Sequence, residues 1–288
     1  MKKCLKRCFL SFVCLMLVCA TVGVAYAETY LVIDGFSFLG SSNGGIIIHG
    51  YNKSNTDVVI PESIADLNVD EIADYAFLNC TDMPSISFRK AKYLKKIGYA
   101  AFSNCKSIEK LVLVNSIENI SSAAFQGCSS LASVTISNSM TEIPSYAFYN
   151  CSSLNTVYIP KSVVSIGYNA FGGCTALSSI TIPSTVTSID KDAFYACTDL
   201  VIKGESGSYA EQFASENGFT FVEGKSYDVG DVNRDGKINI KDATEIQKYL
   251  AHIISLDAEA LILADYTVDE TVNILDATQI QKFLAKLI

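Results

Sequence analysis

Tryptophan is absent from this 288-residue chain, and histidine occurs only at His49 and His252. Two histidines so far apart leave little from which to build a Ser-His-Asp triad. No Gly-x-Ser-x-Gly, Gly-x-Gly-x-x-Gly or phosphate-binding loop occurs. Neither Cys-x-x-Cys pairs nor Cys/His clusters are present, which argues against zinc. The carboxylates of the central region are too scattered to name a glycosidase pair. Positive charge is also scarce, with 22 Lys and Arg against 30 Asp and Glu. After the first 27 residues no apolar run is long enough to span a membrane.

The chain opens with Lys2, Lys3, Lys6 and Arg7, followed by an apolar run from Phe9 to Val24 and the small-x-small triplet Ala25-Tyr26-Ala27. That is the plan of a secretory signal peptide over residues 1–27. The run is shorter than the ~20 residues of a spanning helix. Cys14 and Cys19 each follow Val, which disfavours lipid attachment. Cleavage removes four positive charges and takes the formal net charge from −8 to about −12. A mature chain this acidic argues against nucleic acid and anionic lipid as partners. The expectation is a secreted protein with no membrane insertion after cleavage.

A repeat fills the middle. Ala-Phe-x-x-Cys recurs at Ala76-Phe77, Ala101-Phe102, Ala124-Phe125, Ala147-Phe148, Ala170-Phe171 and Ala193-Phe194, spaced by 25 residues once and 23 four times. Apolar residues recur with it, as in Val134/Val157/Ile180 and Ile143/Ile166/Ile189. Alternation such as Val-x-Ile marks a short strand with one buried face. One coil cannot bury that face alone, so the period predicts a solenoid of stacked coils. The six cysteines after the signal fall in one register, one per coil. Side chains in one register run parallel, which favours a column of buried thiols, although neighbouring coils are close enough for bridges. The strand surfaces look bland (Ser133, Thr135, Thr156, Tyr158, Ser179, Thr181). Tyr146, Tyr149, Tyr158, Tyr168 and Tyr195 read as packing or surface rings, with a sugar-stacking platform as the alternative. Arg89, Lys90, Lys92, Lys95 and Lys96 read as a solvated turn.

The unit resembles the BspA-like leucine-rich repeat, with its Ile-Pro, Ser-Ile-Gly, Ala-Phe and Gly-Cys punctuation. The resemblance runs from about Gly35 to Gly224. It implies N-terminal strands from Gly45 to Pro61 and a C-terminal cap over Ser206 to Glu223, with a short helix and a last strand.

Near the end two twelve-residue segments align at an offset of 34 residues: Asp231 to Asp242 and Asp265 to Asp276. Oxygen-bearing side chains at alternate positions of a tight loop suit Ca²⁺, a hard cation that takes six to eight oxygens. Loop one offers Asp231, Asn233, Asp235, the Lys237 carbonyl, Asn239 and Asp242, with Gly236 at the sharp sixth position. Loop two offers Asp265, Thr267, Asp269, Thr271, Asn273 and Asp276, but has Glu270 at the sixth position. Two calcium sites are expected, the second weaker because of Thr267 and Glu270.

This segment resembles a type I dockerin, the module that attaches secreted proteins to cohesins on a scaffoldin. The resemblance covers about Tyr227 to Ile288. It implies a cohesin-facing surface of Ile240, Lys241, Gln247, Lys248 and His252, with Ile274, Leu275, Gln281, Lys282 and Lys286 as symmetry mates. The plainer reading makes Ile240 and Ile274 core and the Gln-Lys pairs a solvated face. The expected organisation is a signal over 1–27, a β-rich leucine-rich-repeat solenoid over 28–224, a linker over 225–229 and a small all-α calcium-binding dockerin over 230–288. The expected function is calcium-dependent, non-catalytic attachment to a cohesin in a cellulosome-type assembly that degrades polysaccharide. The solenoid would bind a protein, cell-surface or plant-polysaccharide ligand. An adhesin independent of cohesins and an enzyme on the solenoid face are the alternatives.

Overall fold

The computed structural model describes residues 30–53 and 56–286. The expected signal peptide lies outside the described residues. An N-terminal hairpin of β1 (Leu31–Ile33) and β2 (Phe36–Gly40) pairs on to β3 (Ile46–Tyr51). β4 (Val58–Val59), β5 (Ser63–Ile64) and β6 (Leu67–Ile72) follow, and β3 is the first strand to pair in parallel, with β6. From there the chain coils.

Each coil carries two short strands. One row comprises β7 (Ile86–Ser87), β9 (Lys110–Val112), β11 (Ser133–Thr135), β13 (Thr156–Tyr158), β15 (Ser179–Thr181) and β17 (Val201–Gly204). The other comprises β8 (Lys96–Ile97), β10 (Asn119–Ile120), β12 (Glu142–Ile143), β14 (Ser165–Ile166) and β16 (Ser188–Ile189). Pairing is parallel and in repeat register, as in Leu111↔Val134↔Val157 and Ile143↔Ile166↔Ile189. Every coil thus donates the same inward residue to one continuous core.

The phenylalanines Phe77, Phe102, Phe125, Phe148, Phe171 and Phe194 stack near-parallel down that core, with centroids 4.7–5.8 Å apart. Their neighbours are the reduced cysteines: Cys128, Cys151, Cys174 and Cys197 each donate Sγ–H to the carbonyl of a phenylalanine in the previous coil, at 3.2 Å. A left-handed residue precedes each cysteine. Asn79, Asn104, Asn150, Gly127, Gly173 and Ala196 have φ between 58° and 72°; Asn and Gly, which tolerate that region, stand at five of the six places.

The C-terminal cap is α1 (Tyr209–Asn217), ended by left-handed Gly218, and β18 (Thr220–Glu223) on β17. Three helices follow: α2 (Ile240–Leu250), α3 (Ala258–Ala264) and α4 (Ile274–Leu284). α2 and α4 pack through Ala243, Ile246, Ala277 and Ile280, closed by Val232 and Ala264. α3 has no counterpart in the sequence reading. It is started by Asp257, whose side chain accepts the Ala260 N–H. No helix among the described residues is long and apolar enough to cross a membrane.

Candidate calcium loops and partner face

The duplicated loops fold alike. Asp231 accepts the N–H groups of Asp235 (3.1 Å) and Gly236 (2.9 Å). Asp265 accepts those of Asp269 and Glu270, both at 2.9 Å. At the twelfth position Asp242 receives Asn233 N–H (3.1 Å) and Asn239 N–H (2.8 Å), while Asp276 receives Thr267 N–H (2.9 Å) and Asn273 N–H (2.8 Å). Both twelfth-position carboxylates are fully buried. They also close capping boxes with Asn239 and Asn273 at the starts of α2 and α4. One carboxylate therefore ties the front of each loop to the helix that follows it.

Burial and neighbouring carboxylates set the electrostatics. Burial, with Asp242 and Asp235 close by, raises the pKa of Asp231. In loop two burial is the main cause, aided by Asp276 and Asp269, and Asp265 is pushed up to about 6. Crowded carboxylates that resist ionisation are what a divalent cation relieves. No three His, Cys, Asp or Glu side chains among the described residues form a ready-made metal cluster. The oxygens instead face backbone N–H groups and the loop's Asn and Thr side chains. As an all-oxygen set on a tight loop, the donors fit a hard cation such as Ca²⁺.

The loops differ at their outward positions. Gly236 has φ +87° with open space around its Cα. Glu270 holds φ +77° as a non-glycine residue. Loop one's fourth residue, Arg234, pairs with Asp257 and Glu259 at the start of α3. Loop two's fourth residue, Val268, is buried against the solenoid.

The expected partner residues spread over the helix faces. Ile240, Ile274 and Leu275 are 56%, 55% and 56% exposed, so the plainer reading of Ile240 and Ile274 as core does not hold. Lys241, Gln247, His252, Gln281, Lys282 and Lys286 are exposed too, while Lys248 is half-buried and pairs with Glu245.

The sequence reading missed the seam between the modules. Tyr158 does not belong to a free strand surface: it is 8% exposed, and its hydroxyl donates to the Tyr227 carbonyl at 3.1 Å. Thr135 beside it is buried as well. A small cluster of Val112, Tyr158, Val229, Leu263 and Val268 lies between solenoid and helices. Lys161 pairs with Asp228 at 2.8 Å.

Comparison with known proteins agrees with these two regions. The BspA type leucine-rich repeat region matches residues 70–201 in six copies, and the type I dockerin domain matches residues 229–285. A search among curated proteins finds no match. The solved leucine-rich repeat protein of T. pallidum is 27% identical, with a TM-score of 0.58, covering 67% of this chain and 98% of that one. A leucine-rich cell surface protein of Faecalibacterium prausnitzii is also 27% identical, with a TM-score of 0.53, covering 64% of this chain and 56% of its own. The chain thus joins a BspA-type leucine-rich repeat region to a type I dockerin domain.

Proposed function

We propose that the protein is a secreted, non-catalytic component that docks through residues 230–288 onto a cohesin of a scaffoldin, in a calcium-dependent way, and presents the solenoid of residues 28–224 as its binding surface. The observation that carries this reading is the pair of exposed apolar sites at the heads of matching helices, Ile240 on α2 and Ile274-Leu275 on α4, each beside a buried loop carboxylate. Exposed isoleucine and leucine on a small acidic module suit burial by a partner. Asp231, Asn233, Asp235, the Lys237 carbonyl, Asn239 and Asp242 would hold the first Ca²⁺. Asp265, Thr267, Asp269, the Thr271 carbonyl, Asn273 and Asp276 would hold the second, more weakly. The cations neutralise the crowded carboxylates and stiffen the loop-helix joints, so that the partner face is preformed.

A groove on the turn side of the solenoid supports a glycan as the solenoid's ligand. Tyr146, Tyr149, Tyr168 and Tyr195 line a cleft of about 360 Å³ with Asn169 and Asp192. Tyr146 meets Tyr149 and Tyr168 edge-on, with centroids 5.4 and 5.3 Å away. Asn169 is 7% exposed, and its Oδ1 has no hydrogen-bond partner among the described residues. Ring faces beside acceptor oxygens suit a hydroxyl-rich, neutral chain.

Titration calorimetry of the mature chain against a panel of cohesins, with calcium and with EDTA, tests the attachment. Tight binding to one cohesin, abolished by EDTA, is the expected result. No binding to any, with calcium still ordering the helices, favours an adhesin that uses another surface. Retardation in polysaccharide-containing gels, lost in Tyr168→Ala/Tyr195→Ala, tests the groove.

A further inference from the structure

Loop one and loop two match at most of their ligand positions and diverge at the fourth and sixth. Side chains at those even positions point away from the loop centre, so the divergence reflects what each loop faces. Loop one faces α3 through Arg234. Loop two faces the solenoid. Val268 is 6% exposed, in the cluster with Val112 and Tyr158. The Glu270 carboxylate accepts the backbone N–H of Phe88 at 3.2 Å.

The solenoid is prepared for this contact. Val112, Thr135 and Tyr158 are direct cross-strand partners on the outward side of β9, β11 and β13, while their neighbours Leu111 and Val134 point into the core. All three outward residues are buried, and Val112 and Tyr158 lie in the cluster with Val229, Leu263 and Val268. Phe88 sits where the repeat is irregular. In three of the four later coils the equivalents, Leu113, Ile136 and Ile182, donate their N–H to a carbonyl of the next coil. After Phe88 come the two extra residues of the 25-residue repeat, in the basic turn Arg89 to Lys96. Its N–H goes to Glu270 instead.

We propose that the outward stripe Val112–Thr135–Tyr158, with the Phe88 N–H, is a seat for the second calcium loop of the same chain, shared with the flanking Tyr227, Val229 and Leu263, and that seating and calcium loading of that loop are linked. Glu270 is then a positioning residue rather than a decayed glycine. It accepts a strained φ and gains a hydrogen bond that a glycine cannot make. The seat stands on the contacts alone; the linkage also rests on the calcium reading above. Linkage follows because a loop held in its folded shape by the seat presents preorganised ligands, and a filled loop presents a preformed surface to the seat.

The test places the changes on the solenoid, away from every calcium ligand. Calcium titrations of the full chain, of Val112→Lys and of Tyr158→Phe are read with hydrogen exchange at Phe88 and over β9–β13. Tyr158→Phe removes only the hydroxyl, so it reports even if Val112→Lys misfolds. The expected result is slow exchange at Phe88 in the parent. Val112→Lys should speed that exchange and weaken the second calcium constant by about tenfold, leaving the first unchanged. Tyr158→Phe should shift both readouts the same way by a smaller factor. Fast exchange at Phe88 in the calcium-loaded parent overturns the seat. Released exchange with both calcium constants unchanged overturns the linkage. A parent that binds a single calcium overturns the linkage and the two-site reading together, while its exchange pattern still decides the seat.

Discussion

Loop one and loop two are near-copies that live in different surroundings, and the surroundings account for their differences. In both, the first-position aspartate takes the N–H groups of the fifth and sixth residues, and the twelfth-position aspartate closes the helix that follows. Loop one keeps its sixth residue exposed and glycine, so nothing opposes its left-handed turn. Loop two carries glutamate there and lies against the strands of the solenoid. A duplicated motif keeps the residues that make its inner geometry and varies those that meet the neighbour. Departure from a consensus at an outward position therefore points to a contact before it points to a defect.

Removing calcium has the largest expected effect. EDTA should abolish the thermal transition of residues 228–288 and leave the solenoid's transition in place. Each filled site contributes about 2.7 kcal/mol at a hundredfold excess over its Kd. Scanning calorimetry with and without chelator reads both transitions. Next come the twelfth-position aspartates. Asp242→Ala removes a helix cap and leaves two N–H groups unsatisfied, a loss of about 3 kcal/mol in the C-terminal module. Asp276→Ala should cost less if, as proposed, the second site is the weaker one. Equal losses would show that loop two binds as well as loop one.

Gly236→Glu gives loop one the sixth residue of loop two without a solenoid to bind it. The left-handed strain of about 1–2 kcal/mol should weaken calcium at that loop roughly tenfold by titration calorimetry. The smallest expected effect is one of pH. With the folded Asp265 pushed up to about 6, above its unfolded value, the calcium-free loop is favoured by protonation. Its stability is greatest below the unfolded pKa and is lost as pH rises through about 6. Without calcium the module should melt higher at pH 5 than at pH 7. With calcium the order should reverse, since the cation requires ionised carboxylates.

Much of the fold was legible because it is periodic. The Ala-Phe-x-x-Cys register places six phenylalanines and six cysteines without ambiguity, and a stack of identical coils has one economical way to bury them. α3 was harder to read: a seven-residue helix with a lone aspartate cap carries too little pattern. Tyr158 was placed on a strand surface as a packing or surface ring, and it is a buried packing ring. Alternation places it outward from its strand but cannot show that a second module lies over it.

Whether the cysteines pair was left open by the sequence, and the structure shows all six of the repeat free. Legible in the sequence alone were the coil period, the recurring inward residues of the central strands and the alternating oxygen-bearing positions of the two loops. These depend on neighbours within one repeat or one loop, and local sterics and hydrophobic periodicity dictate them. Only the tertiary structure decided that Val268 and Glu270 meet Val112, Tyr158 and Phe88, since those contacts join residues more than a hundred positions apart. No repeat unit carries a record of which face of the stack the last module covers. That choice is made by the shapes of two finished surfaces.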